Sequence, residues 1–321
     1  MIFEQIKIPA NVKTKVFGVT KLLISLGIIA FLLFEFNAGE ILARLENVNY
    51  IYLSFAVILL IPNILFQFLK WKLILSDVIG EKDSRKIWRS LMLGLGAGMI
   101  TPWRSGEYIG RALPFENRNT AHIVFSTFLD KGTTLFLVSF FGGIFSLYFV
   151  HTVYNVNSAI TIPLLILLVL LSFTIYFIVT SPNIEKKKII LTFIPLRYKS
   201  KIENKLNFLD TVSHSTSGLL ILFSAAQLFI VFTQFALLIF AFGGSGYLPE
   251  IYLASLLVFF SKSFFPPVTV ADIGIREAAA VFFFGQFGVA ESAAFSAAIF
   301  LFLINLLIPS LYSLLIPLKK K

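Results

Sequence analysis

Three short runs of charged residues stand inside otherwise apolar sequence, and their spacing suits the gripping of an anion. Arg104, Glu107 and Arg111 recur at i, i+3 and i+7, so a helical segment places all three on one face. A guanidinium holds phosphate through two parallel hydrogen bonds, and a neighbouring carboxylate orients it. The same triplet would also serve as a structural ion pair closing a turn, and both readings stay open. Asp130-Lys131 lies too deep inside the next apolar run to cap a helix end; Lys131 has the further option of snorkelling to the interface. Arg276 and Glu277 are neighbours, about 100° apart on a helix, and are predicted to need partners elsewhere. Asp272, four residues before Arg276, is a ready one. Structural salt bridge and substrate site are equal alternatives for this group. Lys262 stands near it, between Ser261 and Ser263. His122, His151 and His214 lack ligand spacing and the chain has no Cys, so no metal centre, thiolate chemistry or cofactor is expected.

The surroundings of these charges decide where they must lie. Of 321 residues 57% are apolar and 14% charged, with 37 Phe, and mean hydropathy is +0.87. A soluble domain is nearer a quarter charged, and no globule of this length hides so much bulky apolar side chain. The expected fold class is all-α: a polytopic integral membrane bundle, with residues 1–321 forming one transmembrane domain. The net charge of +10 then marks cytoplasmic loops and contact with anionic lipid heads, not a nucleic-acid partner.

Six stretches reach the roughly 20 residues that a bilayer core requires: about 17–36, 50–69, 123–149, 160–179, 217–242 and 292–315. The first has Lys7, Lys13 and Lys15 before it and Lys21 in its opening turn, but it is too long for a signal peptide and reads as an uncleaved anchor. Two more stretches are interrupted: 87–115 at Thr101 to Glu107, and 250–287 at Pro266-Pro267 and Asp272 to Glu277. A continuous helix through either would hold Pro in its interior and charge at depth. Each is predicted to dip in, turn and return, with its turn covered by protein or a water-filled cavity. Loop 70–86 carries Lys70, Lys72, Lys82, Arg85 and Lys86, and the connector 181–216 carries seven Lys or Arg. Both belong in the cytoplasm, with both termini, and Arg44 is then the one basic residue of the outer loops. The chain is expected in the cell (inner) membrane. The two re-entrant hairpins enter from opposite faces, as in an inverted repeat, and such paired interruptions point to a midplane site. Gly94 to Gly98 has small-residue spacing for close helix approach.

These turn motifs resemble those of the lysylphosphatidylglycerol synthase transmembrane-region family. That family includes the flippase half of bacterial multiple peptide resistance factors and many stand-alone membrane proteins. The matching residues are Pro102 with Arg104-Ser105-Gly106-Glu107 and Arg111, then Asp130-Lys131 where relatives usually carry Glu-Arg, then Pro267 with Gly274-Ile275-Arg276-Glu277 and Gly288-Val289. Thr134 stands where relatives often carry an acid. The resemblance covers about residues 17–316 and implies a lipid flippase. The soluble aminoacyl-transferase domain of bifunctional members has no counterpart in the 321 residues, so aminoacylation is not expected.

The leading expectation is a flippase for an anionic or aminoacylated phospholipid, or a lipid-linked precursor. Its headgroup would meet Arg104, Glu107, Arg111, Asp130, Lys131, Asp272, Arg276 and Glu277. No Walker A motif is present, so transport would be passive or ion-coupled. The alternative is a membrane glycosyl- or phosphoryl-transferase, for which Glu40 and Glu46 around Arg44 offer poor acid geometry. Membrane phospholipids are the expected partners, together with a second copy of the chain or a lipid-modifying enzyme.

Overall fold

The computed structural model describes residues 46, 48–101, 104–115, 120–180, 192, 214–264 and 274–316, and all regular structure among them is helical. The predicted first span, Pro102, Pro266, Pro267, Asp272, most of the connector 181–216 and the basic tail lie outside the described residues.

Helix α1 (Tyr50–Ile58) starts at Asn49, whose side chain accepts the Ile51 N–H at 3.1 Å. It passes into α2 (Leu60–Ile79) with a break at Leu59. Pro62 accounts for the break, since it has no N–H for Ile58 and its ring crowds that carbonyl. Gly80, left-handed at φ 67°, ends α2. This corrects the sequence-based span, which stops at residue 69. Lys70 and Lys72 are helical rather than part of a loop, and Lys70 is only 3% exposed. The helix continues past Lys70 because Trp71, Ile74 and Leu75 pack into the core and Asp130 supplies Lys70 with a counter-charge.

Helix α3 (Ser84–Ile100) is capped by Asp83, which accepts the N–H groups of Arg85 and Lys86. The chain then reverses into α4 (Gly106–Ala112) and a 3-10 turn, Leu113–Phe115. Gly106 lies on Ala97 and Gly110 on Leu93, so the two limbs run antiparallel in close contact. Long α5 (Thr120–Tyr154) and apolar α6 (Ser158–Thr180) follow, then α7 (His214–Ala241). A second antiparallel pair, α8 (Leu248–Phe264) and α9 (Ile275–Gln286), brings Gly246 back to Val289. The last run comprises α10 (Glu291–Phe302), a π turn at Leu303–Leu307 and α11 (Ile308–Leu314).

Among the described residues, four runs are long and apolar enough to cross a bilayer: Tyr50–Ile79, His122–Tyr154, Thr216–Ala241 and Glu291–Leu314. Ile160, Leu164 and Leu167 of α6 point outward, as lipid-facing side chains do. Each antiparallel pair has its own core. Trp71, Ile87, Leu91, Phe115 and Ile123 pack around α3–α4, while Phe235, Ile251, Ala280, Phe284 and Ala297 pack around α8–α9. Lipid is as apolar as these side chains, so van der Waals fit rather than exclusion of water holds the helices. The glycines and alanines at the contacts supply that fit.

Candidate functional site

The turn between α3 and α4 is organised by Thr101. Its hydroxyl donates to the Ala97 carbonyl at 3.1 Å and accepts the Gly106 N–H at 2.6 Å. Arg104 occupies the left-handed region at φ 54°, a conformation that costs a non-glycine residue, and it precedes α4 instead of belonging to it. The three-residue face of the sequence therefore forms by a turn plus a helix.

Glu107 sits at the centre. Its Oε2 lies 3.1 Å from Arg104 Nη2, and its Oε1 lies 2.7 Å from both Arg111 Nη2 and Lys131 Nζ. Arg111, fully buried, places Nη1 2.8 Å from Asp130 Oδ2, and Lys70 Nζ approaches the other oxygen of Asp130 at 3.1 Å. The guanidinium of Arg111 rests 4.4 Å from the Trp71 ring, whose Nε1 donates to Ser90 Oγ. Ser90 Oγ in turn donates to the Arg111 carbonyl at 2.6 Å. Arg111 can come this close because α3 carries Gly94, where an added Cβ would strike the Arg111 side chain. Thr134 accepts from Lys70 Nζ at 3.0 Å.

Lys131 pairs with Glu107 instead of reaching for the interface, while 37% of its side chain stays accessible. Arg276 corrects a second expectation. Adjacent residues were predicted to be unable to satisfy each other, yet Arg276 Nη2 lies 2.6 Å from Glu277 Oε1. Glu277 folds back to accept the Gly274 N–H at 2.7 Å, which turns its other oxygen toward the long, flexible Arg276. Asp272, its predicted partner, is outside the described residues.

A cavity of about 350 Å³ lies between the two helical pairs, with Lys70, Arg104, Asp130, Lys131, Lys262 and Arg276 on its wall. Arg104 and Arg276 thus share one space. Arg111 lies behind this wall, and Glu277 faces a separate groove beside Glu291. The remaining polar wall is amide and hydroxyl: Asn63, Gln67, Gln227 and Asn305, with Thr134 and Ser263. Gln67 donates to Asn63, Asn63 to Asn305 and Asn305 to Gln234, whose Nε2 reaches the Ala56 carbonyl. Sequence reasoning missed Lys70 and these amides, although Asn63, Gln67 and Lys70 recur at i, i+4 and i+7. That polar stripe on an apolar helix was the available signal.

Residues 18–313, nearly the full length, match the family described as the lysylphosphatidylglycerol synthase TM region. The chain belongs to this family. As a member of the lysylphosphatidylglycerol synthase TM-region family it is a multi-pass membrane protein, in keeping with the four described spans. Neither a curated protein nor a solved structure matches it. In this family member the Arg-x-Gly-Glu motif builds the core of the ion network, and Asp130-Lys131 supplies one charge to each half of it.

Proposed function

We propose that the protein moves a phospholipid with an anionic head, its aminoacylated derivative or a lipid-linked precursor between leaflets. One observation carries this reading: a headgroup-sized, mainly cationic cavity lies among helices whose outer faces are apolar. Charged groups at membrane depth mark pathways, and a cavity between interrupted helices is where transporters bind substrate. Acyl chains would stay in lipid while the head enters between α3–α4 and α8–α9. In this reading both pairs are re-entrant hairpins, entering from opposite faces as an inverted repeat, with both termini cytoplasmic in the inner membrane. A second copy or a lipid-modifying enzyme is a natural partner. Glu107 and Asp130 are each engaged by two or more cations, an arrangement that favours anion binding over general-base catalysis.

Transport of acyl-labelled lipid in liposomes tests the reading. Arg104→Ala should slow it about tenfold, the equivalent of one charge-assisted hydrogen bond, and Arg104→Lys should slow it less. Lys82→Ala, at the exposed turn before α3, should be silent. Normal transport by Arg104→Ala with collapsed thermostability would make Arg104 a structural clamp and sink the headgroup reading.

A further inference from the structure

The uncharged wall of the cavity holds hydrogen-bonding groups that the protein itself does not use. Gln67 donates to Asn63 at 3.2 Å, which turns its Oε1 away; that oxygen is accessible and has no partner among the described residues. Gln227 makes no hydrogen bond among them: its Oε1 is buried and unpartnered, and its Nε2 remains accessible in the cavity. Register brings the two amides together. The Asn49 N–H donates to the Ala241 carbonyl, Gln234 donates to the Ala56 carbonyl and Phe66 meets Phe223, so α1–α2 and α7 run antiparallel. Two turns on from Ala56 and two turns back from Gln234, Asn63 and Gln227 are level. Two hydroxyls join this wall. Thr134 accepts from Lys70 and directs its own proton to no acceptor among the described residues, and Ser263, which donates to the Phe259 carbonyl, can still accept. Helices α2, α5, α7 and α8 thus each present one uncharged polar group to a single space. An amide left unpaired inside a membrane is costly, so a ligand that pairs with it gains.

From this wall we infer that the cavity takes a phosphodiester head whose second alcohol is a ring polyol, a sugar or an inositol. A hydroxyl donates and accepts at once, which matches a wall with an open amide N–H, an open amide carbonyl and two hydroxyls. An ammonium only donates, and a fully ionised phosphate only accepts. The spacing agrees. Gln67 lies one helical turn from Lys70, and Thr134 one turn from Lys131, about 4.5 Å along each axis. A phosphate held by the cations therefore leaves the group esterified to it beside the amides and hydroxyls. Groups on four helices suit hydroxyls spread round a ring better than the pair on a glycerol chain. This inference rests on the lipid-transport reading of the same cavity and names what the head carries beyond its phosphate.

The test compares lipids of equal charge. Liposomes with the full chain reconstituted contain acyl-labelled phosphatidylinositol, phosphatidylglycerol or phosphatidylpropanol, all phosphodiesters, and rates are taken over protein-free vesicles. Phosphatidylinositol should cross about ten times faster than phosphatidylpropanol, the yield of one to two neutral hydrogen bonds, with phosphatidylglycerol between them. Gln227→Leu should cut that ratio to about threefold, and Gln67→Met should do the same. Each ratio is taken within one preparation, so a partly misfolded variant still reports it. Equal rates, phosphatidylpropanol ahead, or an unchanged ratio in both variants overturns the hydroxyl inference and leaves transport standing. Phosphatidylglycerol level with phosphatidylinositol overturns the ring. Should no lipid cross, the transport reading falls. Thermal stabilisation in detergent then decides the inference alone: phosphatidylinositol raising the Tm more than phosphatidylpropanol supports it, and the reverse or equality overturns it. Stabilisation by inositol 1-phosphate but not by phosphatidylinositol would assign the wall to a soluble polyol phosphate and overturn the lipid head.

Discussion

Glu107→Gln is the most informative single change, because the substitution is nearly isosteric and removes one charge from the centre of the network. Three cations lose a counter-charge, but not equally. Arg104 and Lys131 keep 25% and 37% of their side chains accessible, so their pairs are partly screened and contribute about 0–1 kcal/mol each. Arg111 is wholly buried, and losing one partner of a buried pair costs about 3–5 kcal/mol. Gln retains an acceptor for Arg111 and Arg111 retains Asp130, which returns about 1–2 kcal/mol. The expected loss is therefore about 3 kcal/mol. It is read from unfolding of purified protein in mixed micelles against Glu81→Gln, which breaks an exposed-edge pair with Lys86. Adding Arg111→Met to Glu107→Gln should recover about 1 kcal/mol or more, because it removes the one wholly buried cation of the three. A Glu107→Gln loss no larger than that of Glu81→Gln would refute the premise that the network sits in a low-dielectric interior.

Three further outcomes follow from packing and topology. Gly110→Ala places a Cβ 2.5 Å from the Leu93 carbonyl oxygen and should destabilise by about 1–3 kcal/mol, whereas Gly132→Ala, with open space beside it, should be neutral or stabilising in the same unfolding assay. Asn305→Leu strands the Asn63 donor and the Gln234 acceptor, and should cost about 1–3 kcal/mol in that assay. Since the chain has no cysteine, Asn155→Cys and Ser245→Cys should react with an impermeant thiol reagent from outside intact cells, and Lys82→Cys only after permeabilisation; labelling of Lys82→Cys from outside reverses the orientation.

The charged core of the site was legible because ions inside apolar sequence stand out one by one. Arg104, Glu107, Arg111, Asp130 and Lys131 needed only their spacing to be grouped. Lys70 was hidden by the same rule, since a lysine at the end of an apolar run looks like the start of a loop, and its counter-charge lies 60 residues away in Asp130. The amides were hidden for a different reason. Asn63, Gln234 and Asn305 barely lower a hydropathy average, and their value arises only when three separate helices bring them together. The Arg276–Glu277 pair escaped because helical-wheel geometry fixes Cβ directions and says little about the ends of long side chains. Cores around each antiparallel pair were foreseeable in outline, from the interrupted stretches, but not in membership.

The π turn at Leu303–Leu307 has a consequence for chain length. One surplus residue advances the helix by about 100°, so the faces before and after it are out of phase. Before the turn, Ala294 and Ala297 fill the core around α8–α9. After it, Ser310 donates to the Leu95 carbonyl and Ser313 lies against Gly96, both on α3. A straight α-helix could not present both faces at these angles. Deleting one apolar residue here would swing Ser313 away from Gly96 while leaving composition and hydropathy almost untouched. The segment therefore tolerates a change of side chain far better than a change of count, and its register, more than its chemistry, holds the two cores in angular step.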